Sequence, residues 1–242
     1  MAGKVRVGVG DAARIDLKAG DPIDPSTPVS LVEADRYVSR GGHKLAAGLD
    51  AFGIDPAGWV CLDVGASTGG FSDVLLQRGA RRVYAVDVGR GQLAESLRRD
   101  IRVVSLERTN ARTLGPGSLA ERVELAVVDV AFISLALVLG PIAACFGPAG
   151  GPIVALVKPQ FEAGRAQVKH GVVHDPAVHL EVLRSIVARA RELEIGAIDA
   201  TASPLLGPDG NREFLLHLGV GQKSVDTLSD VRLEAVAAGS SK

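Results

Sequence analysis

The sequence has few of the features that mark disulfide-bonded or secreted proteins. Its 242 residues include only two cysteines, Cys61 and Cys145, which stand in apolar runs and form no Cys-x-x-Cys pair. This pattern predicts buried thiols of a reducing compartment, and it indicates neither a disulfide framework nor a metal site. The first residues are charged and lack an apolar stretch, so we expect no signal peptide and a cytoplasmic location.

An excess of one charge sign is also absent. Lysine and arginine total 27 residues, against 28 aspartates and glutamates. The overall charge therefore does not indicate nucleic acid as a partner. The length is sufficient for a full hydrophobic core, and it favours one large domain with at most a small appendage.

A long uncharged run extends from Val130 to Val157, but it is not an uninterrupted hydrophobic segment. The run would be long enough to cross a bilayer. However, Gly-Pro pairs at 140–141, 147–148 and 151–152 break any single helix. We interpret the run as a buried strand, a helix and a second buried strand, as in a parallel sheet covered on both faces, and we expect no membrane partner.

The segment Cys61–Phe71 organises the rest of the chain. A short apolar run ends at an acidic residue, glycines follow at positions 65, 69 and 70, and an amphipathic segment begins. This is the pattern of a strand, a tight turn and a helix, where the backbone and a helix N-terminus can approach a nucleotide-like ligand. The spacing does not fit Gly-x-Gly-x-x-Gly, and no Gly-Lys-Ser/Thr is present, so pyrophosphate binding is the weaker interpretation.

A second apolar run, Val83–Asp87, also ends in an acid. It lies about 20 residues after the glycine loop, where a doubly wound fold places the carboxylate that binds a ribose diol. Without a phosphate-binding loop, a nucleoside lacking phosphates is favoured, and this indicates S-adenosylmethionine. Glycine turns after buried strands are common, so the alternative of a purely structural turn stays open.

From Trp59 onward, strand and helix patterns alternate. The predicted strands are Trp59–Asp63, Arg82–Asp87, Arg102–Ser105, Glu124–Asp129, Ile153–Val157, Gly196–Ala202 and Glu213–Leu218. The connection between the last two is too short for a crossover helix, so they are predicted to pair antiparallel. The fold class is α/β: a seven-stranded, mostly parallel sheet with a terminal antiparallel hairpin, the outline of Rossmann-like class I methyltransferases.

Other elements complete the prediction. The clearest helices are Gly41–Phe52, Phe71–Gln77, Gln92–Arg98, Leu135–Cys145 and Val178–Leu193, the first with Ser39 as its N-cap. Three short alternating runs at 4–7, 13–17 and 29–32 indicate a small N-terminal β appendage. The segment 222–242 is expected to form one frayed, poorly ordered helix.

Several polar residues are predicted to gather at one edge of the sheet. Ligands bind outside the carboxyl ends of the strands in open α/β sheets, where Asp63, Asp87, Asp129 and Lys158 fall, with Glu213 at the start of a reversed strand and Lys44 on the preceding helix. Each also has a plain structural explanation. Asp129 could cap the following helix, as Ser134 could, Glu213 could be a strand-edge charge, and Lys44 could be a surface lysine.

Seven ordered motifs together resemble one family. They are Tyr37–Leu45, Cys61–Phe71, Ala85–Leu93, Glu107–Asn110, Asp129–Leu135, Leu156–Glu162 and Gly171–Asp175. The resemblance is to the TlyA (haemolysin A) family of FtsJ-like ribosomal RNA 2′-O-methyltransferases, which carry an N-terminal S4 RNA-binding domain. It extends from about Gly3 to Leu218.

The resemblance implies an activity, a cofactor and a set of site residues. The reaction would be methyl transfer from S-adenosylmethionine to a ribose 2′-hydroxyl of ribosomal RNA, with cytidine as the expected nucleotide and ribosomal RNA or subunits as partners. The family's Lys-Asp-Lys-Glu tetrad matches Lys44, Asp129, Lys158 and Glu213, and Lys158 would act as the base or stabilise the developing alkoxide. The implied cofactor residues are Asp63, Gly65, Ala66, Ser67, Thr68, Gly69 and Phe71 around the methionine, Asp87 at the ribose, and Thr109 and Asn110 at the adenine.

The resemblance also implies a domain division. Residues 1–33 would be a partial S4-like appendage, 34–38 a linker, 39–221 the methyltransferase domain and 222–242 a tail. The two helices with which most S4 domains begin are not in this sequence, so a start at an internal methionine and the loss of half of the RNA anchor are both open. The alternative functions are a small-molecule O-methyltransferase and a protein that only binds the cofactor. A membrane-lytic protein is the least favoured alternative.

Overall fold

The structure is a computed structural model that describes residues 5–9, 14, 21–31 and 35–239. The chain divides into two units, residues 1–36 and 37–242. In the smaller unit, β1 (Val5–Val7) pairs antiparallel with β2 (Val29–Leu31), and Val7 also exchanges backbone hydrogen bonds with Arg14. The predicted run at 13–17 lies, apart from Arg14, outside the described residues.

All seven strands predicted for the larger unit are present. They are β3 (Val60–Val64), β4 (Arg82–Val86), β5 (Val103–Leu106), β6 (Leu125–Val128), β7 (Gly151–Val157), β8 (Gly196–Ala202) and β9 (Phe214–Val220). They form one sheet in the order β5-β4-β3-β6-β7-β9-β8. Only β9 runs against its neighbours in this sheet, pairing antiparallel with both β7 and β8. The predicted fold class is confirmed.

Helices cover both faces of the sheet. They are α1 (Arg40–Phe52), α2 (Gly70–Gln77), α3 (Glu95–Arg98), α4 (Leu139–Ala143), α5 (Pro159–Glu162), α6 (Pro176–Glu192) and α7 (Asp230–Ala237). Side chains of α1 and α2 pack in one hydrophobic cluster, and those of α4, α6 and α7 pack in a second. The central strands β3 and β6 are buried at every position, and all of their residues except Asp63 are apolar.

Two predicted helices are shorter than expected. The segment Leu135–Cys145 divides into a 3-10 turn, Leu135–Leu137, and the five residues of α4. Pro141 explains the division, because it has no N–H to donate to the carbonyl of Leu137. The helix expected over Gln92–Arg98 begins only at Glu95. Just before it, the N–H of Ala94 donates to Thr68 O at 3.1 Å, which ties this segment to the glycine loop.

The helix predicted in the C-terminal segment is present as α7, but the expectation that it is frayed and poorly ordered is wrong for residues up to 239. Ser229 accepts a hydrogen bond from Arg232 N and begins α7. Leu228, Leu233 and Val236 are buried in the core cluster that contains α6. On the surface, Arg184 pairs with Asp230 and Glu234 of this helix. The regularly spaced apolar side chains thus hold the segment against the core. In the sequence, the charged residues between them obscure this spacing.

The strand order places the candidate site. From β3 the chain runs outward through β4 to β5, and it then crosses over to β6 on the other side of β3. Ligands bind at such a reversal of strand order, outside the carboxyl ends of the strands. The loops after β3, β4 and β6 meet there, and β7 adds Lys158. None of the helices formed by the described residues is both long and apolar enough to span a membrane.

Candidate active site

A cavity of about 390 Å³ lies at the carboxyl ends of β3, β4 and β6. Its volume falls in the range of roughly 300–1,000 Å³ that is usual for cofactor sites. Seven predicted site residues line it: Gly65, Ser67, Asp87, Thr109, Asn110, Asp129 and Lys158. The sheet therefore assembles in one cavity residues that are separated by more than 90 positions in the chain.

A second cavity of about 120 Å³ adjoins the first. The predicted residues Ala66, Thr68, Phe71 and Lys44 line this second cavity and not the first, whereas Gly65, Ser67 and Asp129 line both. Gly69 lines neither. It precedes α2 with a φ of +95°, and a Cβ at this position would lie 2.2 Å from Leu97 Cδ1. Its role is to let the chain enter α2 in close contact with α3.

Gly65 sits where two loops touch. Its φ is +83°, and a Cβ on it would lie 2.4 Å from the carbonyl oxygen of Asp129. A distance below 3.0 Å is essentially never seen for a real Cβ atom. Only glycine therefore allows the end of β3 to approach the end of β6, where Asp129 begins the next loop.

Asp63 is fully buried at the end of β3 and lines neither cavity. Its Oδ2 accepts a hydrogen bond from Ser72 Oγ at 2.7 Å, which anchors α2, and its Oδ1 has no hydrogen-bond partner among the described residues. Burial raises the pKa of Asp63 to about 7, and the charges of Asp129 and Asp87 add to the rise. We expected Asp63 to line the methionine end of the cofactor, but its side chain is enclosed by protein and acts through α2 and through its charge.

Asp87 links the loops around the cavity. Its Oδ2 accepts a hydrogen bond from Ser67 N and its Oδ1 accepts one from Gly89 N, each at 2.7 Å. Its backbone carbonyl accepts a third, from Thr109 N at 2.9 Å. Ser67 is held in the left-handed region, with φ +48°. A carboxylate oxygen has capacity for more than one hydrogen bond, so Asp87 can still accept from a ribose diol.

Thr109 and Asn110, in the loop after β5, form one wall of the larger cavity. The side chain of Asn110 accepts a hydrogen bond from Arg112 N at 3.0 Å and so begins the short 3-10 turn Ala111–Thr113. Thr109 Oγ1 donates to the carbonyl of Glu107 at 3.2 Å. Both residues are half-buried and line the larger cavity. Their own side chains thus fix the wall that was predicted to contact the adenine.

The first half of the predicted tetrad is a buried ion pair. Lys44 Nζ donates to Glu213 Oε2, and the side chains are 9% and 0% exposed. Lys44 is therefore not a surface lysine, and Glu213 is not an exposed strand-edge charge. Burial raises the pKa of Glu213, and the hydrogen bond from Lys44 and the charge of Lys158 oppose part of that rise.

The second half is an ion pair between neighbouring strands. Lys158 Nζ lies 2.5 Å from Asp129 Oδ1, directly after β7 and β6. Pro159 opens α5 and fixes the turn that follows Lys158. Ser134, and not Asp129, caps the 3-10 turn after β6, accepting from Ala136 N at 3.2 Å. Since the charges of Lys158 and Asp129 both act on Glu213, the four residues form one electrostatic unit.

The charges around the glycine loop fit S-adenosylmethionine. Asp87 and Asp129 line the larger cavity together with Gly65 and Ser67, and the cofactor carries a sulfonium and an ammonium group. Opposite charges attract strongly in such a partly buried site. Among the described residues, no group of three histidines, cysteines or acids is arranged to hold a metal ion.

Comparison with known proteins decides the family. The model of the FtsJ-like methyltransferase family matches residues 37–220. The chain belongs to this family. The ribosomal RNA (cytidine-2′-O)-methyltransferase TlyA of Mycobacterium tuberculosis is 50% identical over 220 residues, which are 90% of this chain and 80% of the relative. Hemolysin A of Brachyspira hyodysenteriae is 39% identical over 193 residues, covering 78% of this chain and 79% of the relative.

A solved structure supports the same placement. A Streptococcus thermophilus protein named as a hemolysin superposes with a TM-score of 0.83 at 42% identity, over 99% of this chain and 86% of that one. The predicted membership of the TlyA (haemolysin A) family is confirmed. So are the predictions of a methyltransferase activity and of S-adenosylmethionine as its cofactor.

Two residues of this FtsJ-like enzyme escaped prediction from its sequence. Phe132 is 90% exposed beside the larger cavity, has a φ of +63°, and its ring centroid lies 4.9 Å from that of Phe161. Glu162 binds the loop after β6. An apolar residue in an uncharged run predicts burial, so no local pattern marked Phe132 as exposed. Only its place within three residues of Asp129 could have drawn attention to it.

Proposed function

We propose that this FtsJ-like methyltransferase transfers a methyl group from S-adenosylmethionine to the ribose 2′-hydroxyl of a cytidine in ribosomal RNA. The observation that carries the proposal is the Lys158–Asp129 ion pair at the wall of the cofactor cavity, with the buried Lys44–Glu213 pair beside it. The names of the relatives supply the acceptor class. Because ribosomes are the acceptor, the enzyme would act in the cytoplasm.

The tetrad suits an acceptor that is a very weak acid. S-adenosylmethionine supplies the methyl group. Lys158, paired with Asp129, places a positive charge where the 2′-oxygen develops negative charge, and this stabilises the alkoxide as the hydroxyl proton passes to solvent water. Lys44 and Glu213 hold the neighbouring wall and offset one another's charge. Fixed placement of the acceptor can contribute several kcal/mol to lowering the barrier, roughly 7–11 in the best oriented cases.

Phe132 supports an RNA acceptor. Its ring is exposed, whereas a core phenylalanine would be buried, and Phe161 supports it from one side. Single-stranded bases stack on such aromatic side chains, and bases that undergo modification are commonly taken out of the helix. We propose that Phe132 stacks on the base of the target nucleotide. A small-molecule acceptor would not require a ring that projects to this extent.

The N-terminal unit would add RNA affinity. We propose that residues 1–33 are the part of an S4-like domain present in this sequence, that 34–38 link it onward, and that 39–221 form the methyltransferase domain. The arginines Arg36, Arg40, Arg90, Arg108 and Arg112 are candidate phosphate contacts.

Labelled methyl transfer tests the function. Purified protein would be incubated with methyl-labelled S-adenosylmethionine and either small or large ribosomal subunits that lack the modification. We expect label in ribosomal RNA, within a cytidine-containing dinucleotide that resists alkali, because 2′-O-methylation blocks cleavage of the adjacent phosphodiester. Label confined to a small-molecule fraction of a cell extract, or label in RNA that alkali releases as mononucleotides, would contradict the proposal.

A further inference from the structure

The loops that follow β6 and β7 together carry the residues to which we assign acceptor binding and methyl transfer. The β6 loop contains Asp129 and Phe132, and the β7 loop contains Lys158. Three contacts join the two loops in order along their length: Asp129 with Lys158, Phe132 with Phe161, and Ser134 and Leu135 with Glu162. The contacts follow the same order along both loops, beginning at the ion pair.

Glu162 makes the last of these contacts. Its Oε2 accepts a hydrogen bond from Ser134 Oγ and its Oε1 accepts one from Leu135 N, both at 2.7 Å. Within the described part of the chain, no lysine, arginine or histidine forms an ion pair with it. Burial raises the pKa of Glu162, and the two donors oppose part of that rise. Its carboxylate is thus half-buried without a counter-charge. Burying an unpaired carboxylate costs free energy, and here the two hydrogen bonds are what offsets that cost.

The segment that Glu162 holds is under backbone strain. Phe132 has a φ of +63°, a conformation that costs a residue with a side chain about 1 kcal/mol or more. Its ring is exposed, so burial does not hold it in place. Such a conformation persists only where neighbouring contacts fix it. On one side it is fixed by Asp129 at the end of β6, and on the other by the bonds from Ser134 and Leu135 to Glu162.

From this geometry we infer that Glu162 is a positioning residue for methyl transfer, which clamps the loop carrying Asp129 and Phe132 against the loop carrying Lys158. The inference rests on the proposed function for its kinetic consequence. Glu162 acts through the residues it holds. Its loss leaves the ends of β3 and β4 intact, so Asp87, Thr109 and Asn110 keep their places, and only the wall formed by residues 130–133 of the β6 loop is released.

The test compares three variants. Glu162→Ala removes both acceptors. Glu162→Gln keeps an oxygen for Leu135 N and an amide that can donate to Ser134 Oγ. Glu192→Ala is the control, because Glu192 ends α6 at the opposite edge of the sheet, is 65% exposed and pairs with Arg189. For each, kcat and KM would be measured for ribosomal subunits and for S-adenosylmethionine, together with the melting temperature.

We expect Glu162→Ala to lower kcat about tenfold or more, since small misplacements of reacting groups have effects of this order or larger. KM for S-adenosylmethionine should change by a smaller factor than kcat, because Asp87, Thr109 and Asn110 keep their places, and Glu162→Gln should recover most of the rate. Glu192→Ala should match the native protein. Native kcat in Glu162→Ala, an equal loss in Glu162→Gln, or a loss confined to KM for the cofactor would overturn the inference.

Amide hydrogen exchange provides a readout that does not depend on the acceptor. In Glu162→Ala, exchange at residues 132–135 should accelerate, and exchange in β4 and β5 should not change. If native protein transfers no methyl group to ribosomal RNA, the proposed function fails, and exchange alone then decides the clamp. Faster exchange at 132–135 supports it and unchanged exchange overturns it.

Discussion

Lys44 and Glu213, 169 positions apart in the chain, form an ion pair in which the carboxylate side chain is fully buried. The pair joins α1, which precedes the sheet in sequence, to the start of β9, its last strand. A buried pair of this kind is weak evidence for stability in itself. Its place beside Asp129 and Lys158 points instead to a role in the site, and the two roles can be separated experimentally.

Lys44→Met should destabilise the protein by about 3–5 kcal/mol, because it leaves the Glu213 carboxylate buried without its partner. The folded-state pKa of Glu213 is already raised above its unfolded value by burial, and loss of Lys44 removes a group that lowers it. The folded variant then binds a proton more readily than the unfolded chain, so its stability falls as the pH rises above the unfolded pKa. Urea unfolding at pH 5 and pH 8 measures this.

The matched control is the double variant Lys44→Met, Glu213→Gln, which removes both charges. It should recover much of the lost stability and lose the part of the pH dependence that Glu213 contributes, leaving the part due to Asp63, while methyl transfer stays impaired. A Lys44→Met protein that is equally stable at both pH values would refute this account of the pair.

Gly65→Ala should abolish cofactor binding. The added Cβ would lie 2.4 Å from the carbonyl oxygen of Asp129 and force the β3 and β6 loops apart. Gly58→Ala is a suitable control, because Gly58 has a similar φ of +77° but nothing within 4 Å of its Cβ position. Both variants should lose about 1 kcal/mol to backbone strain. Equilibrium dialysis with S-adenosylmethionine should show a loss only for Gly65→Ala; equal affinities would count against the role of this close approach.

Asp63 should make stability depend on pH near neutrality. Its folded-state pKa of about 7 lies above its unfolded value, so the folded protein retains a proton that the unfolded chain releases. Stability therefore falls as the pH rises from about 4 to about 7. In Asp63→Asn this contribution disappears, and the difference in melting temperature between the variant and the native protein should shift in favour of the variant across that interval. A constant difference would show that Asp63 ionises normally.

Phe132→Ala should lower methyl transfer to ribosomal subunits by a larger factor than it lowers the affinity for S-adenosylmethionine. Stacking of a base on an aromatic ring contributes about 1–3 kcal/mol, which corresponds to roughly 5–150-fold in transfer efficiency. Phe132→Tyr keeps the ring and should retain most of the activity. Transfer by Phe132→Ala at the native rate would remove Phe132 from the acceptor site.

The sequence was informative wherever a local pattern determined the structure. The apolar runs located all seven strands of the large sheet, and the short connection before Glu213 identified the antiparallel hairpin. Topology collected six polar residues at one edge of the sheet, because the carboxyl ends of parallel strands meet there, and the family resemblance then singled out the four of the tetrad.

Other features depend on tertiary context that a single sequence does not contain. Asp63 has the same local pattern as Asp87, yet one is enclosed beneath α2 and the other lines the cavity. Phe132 looks like a core residue until the loop geometry exposes it. The packing of α7 depends on spaced apolar residues among many charges. Pro141, in contrast, was visible in the sequence and should have predicted the break before α4.

Single-turnover methyl transfer by native protein and by Lys158→Met tests the central claim most directly. Unmethylated ribosomal subunits would be the acceptor, and binding of S-adenosylmethionine would be measured on the same samples. The account predicts that the variant binds the cofactor as the native protein does and transfers methyl groups at least about 100-fold more slowly, the scale of losing a preorganised charge at the reacting oxygen. Transfer at the native rate by Lys158→Met would contradict it.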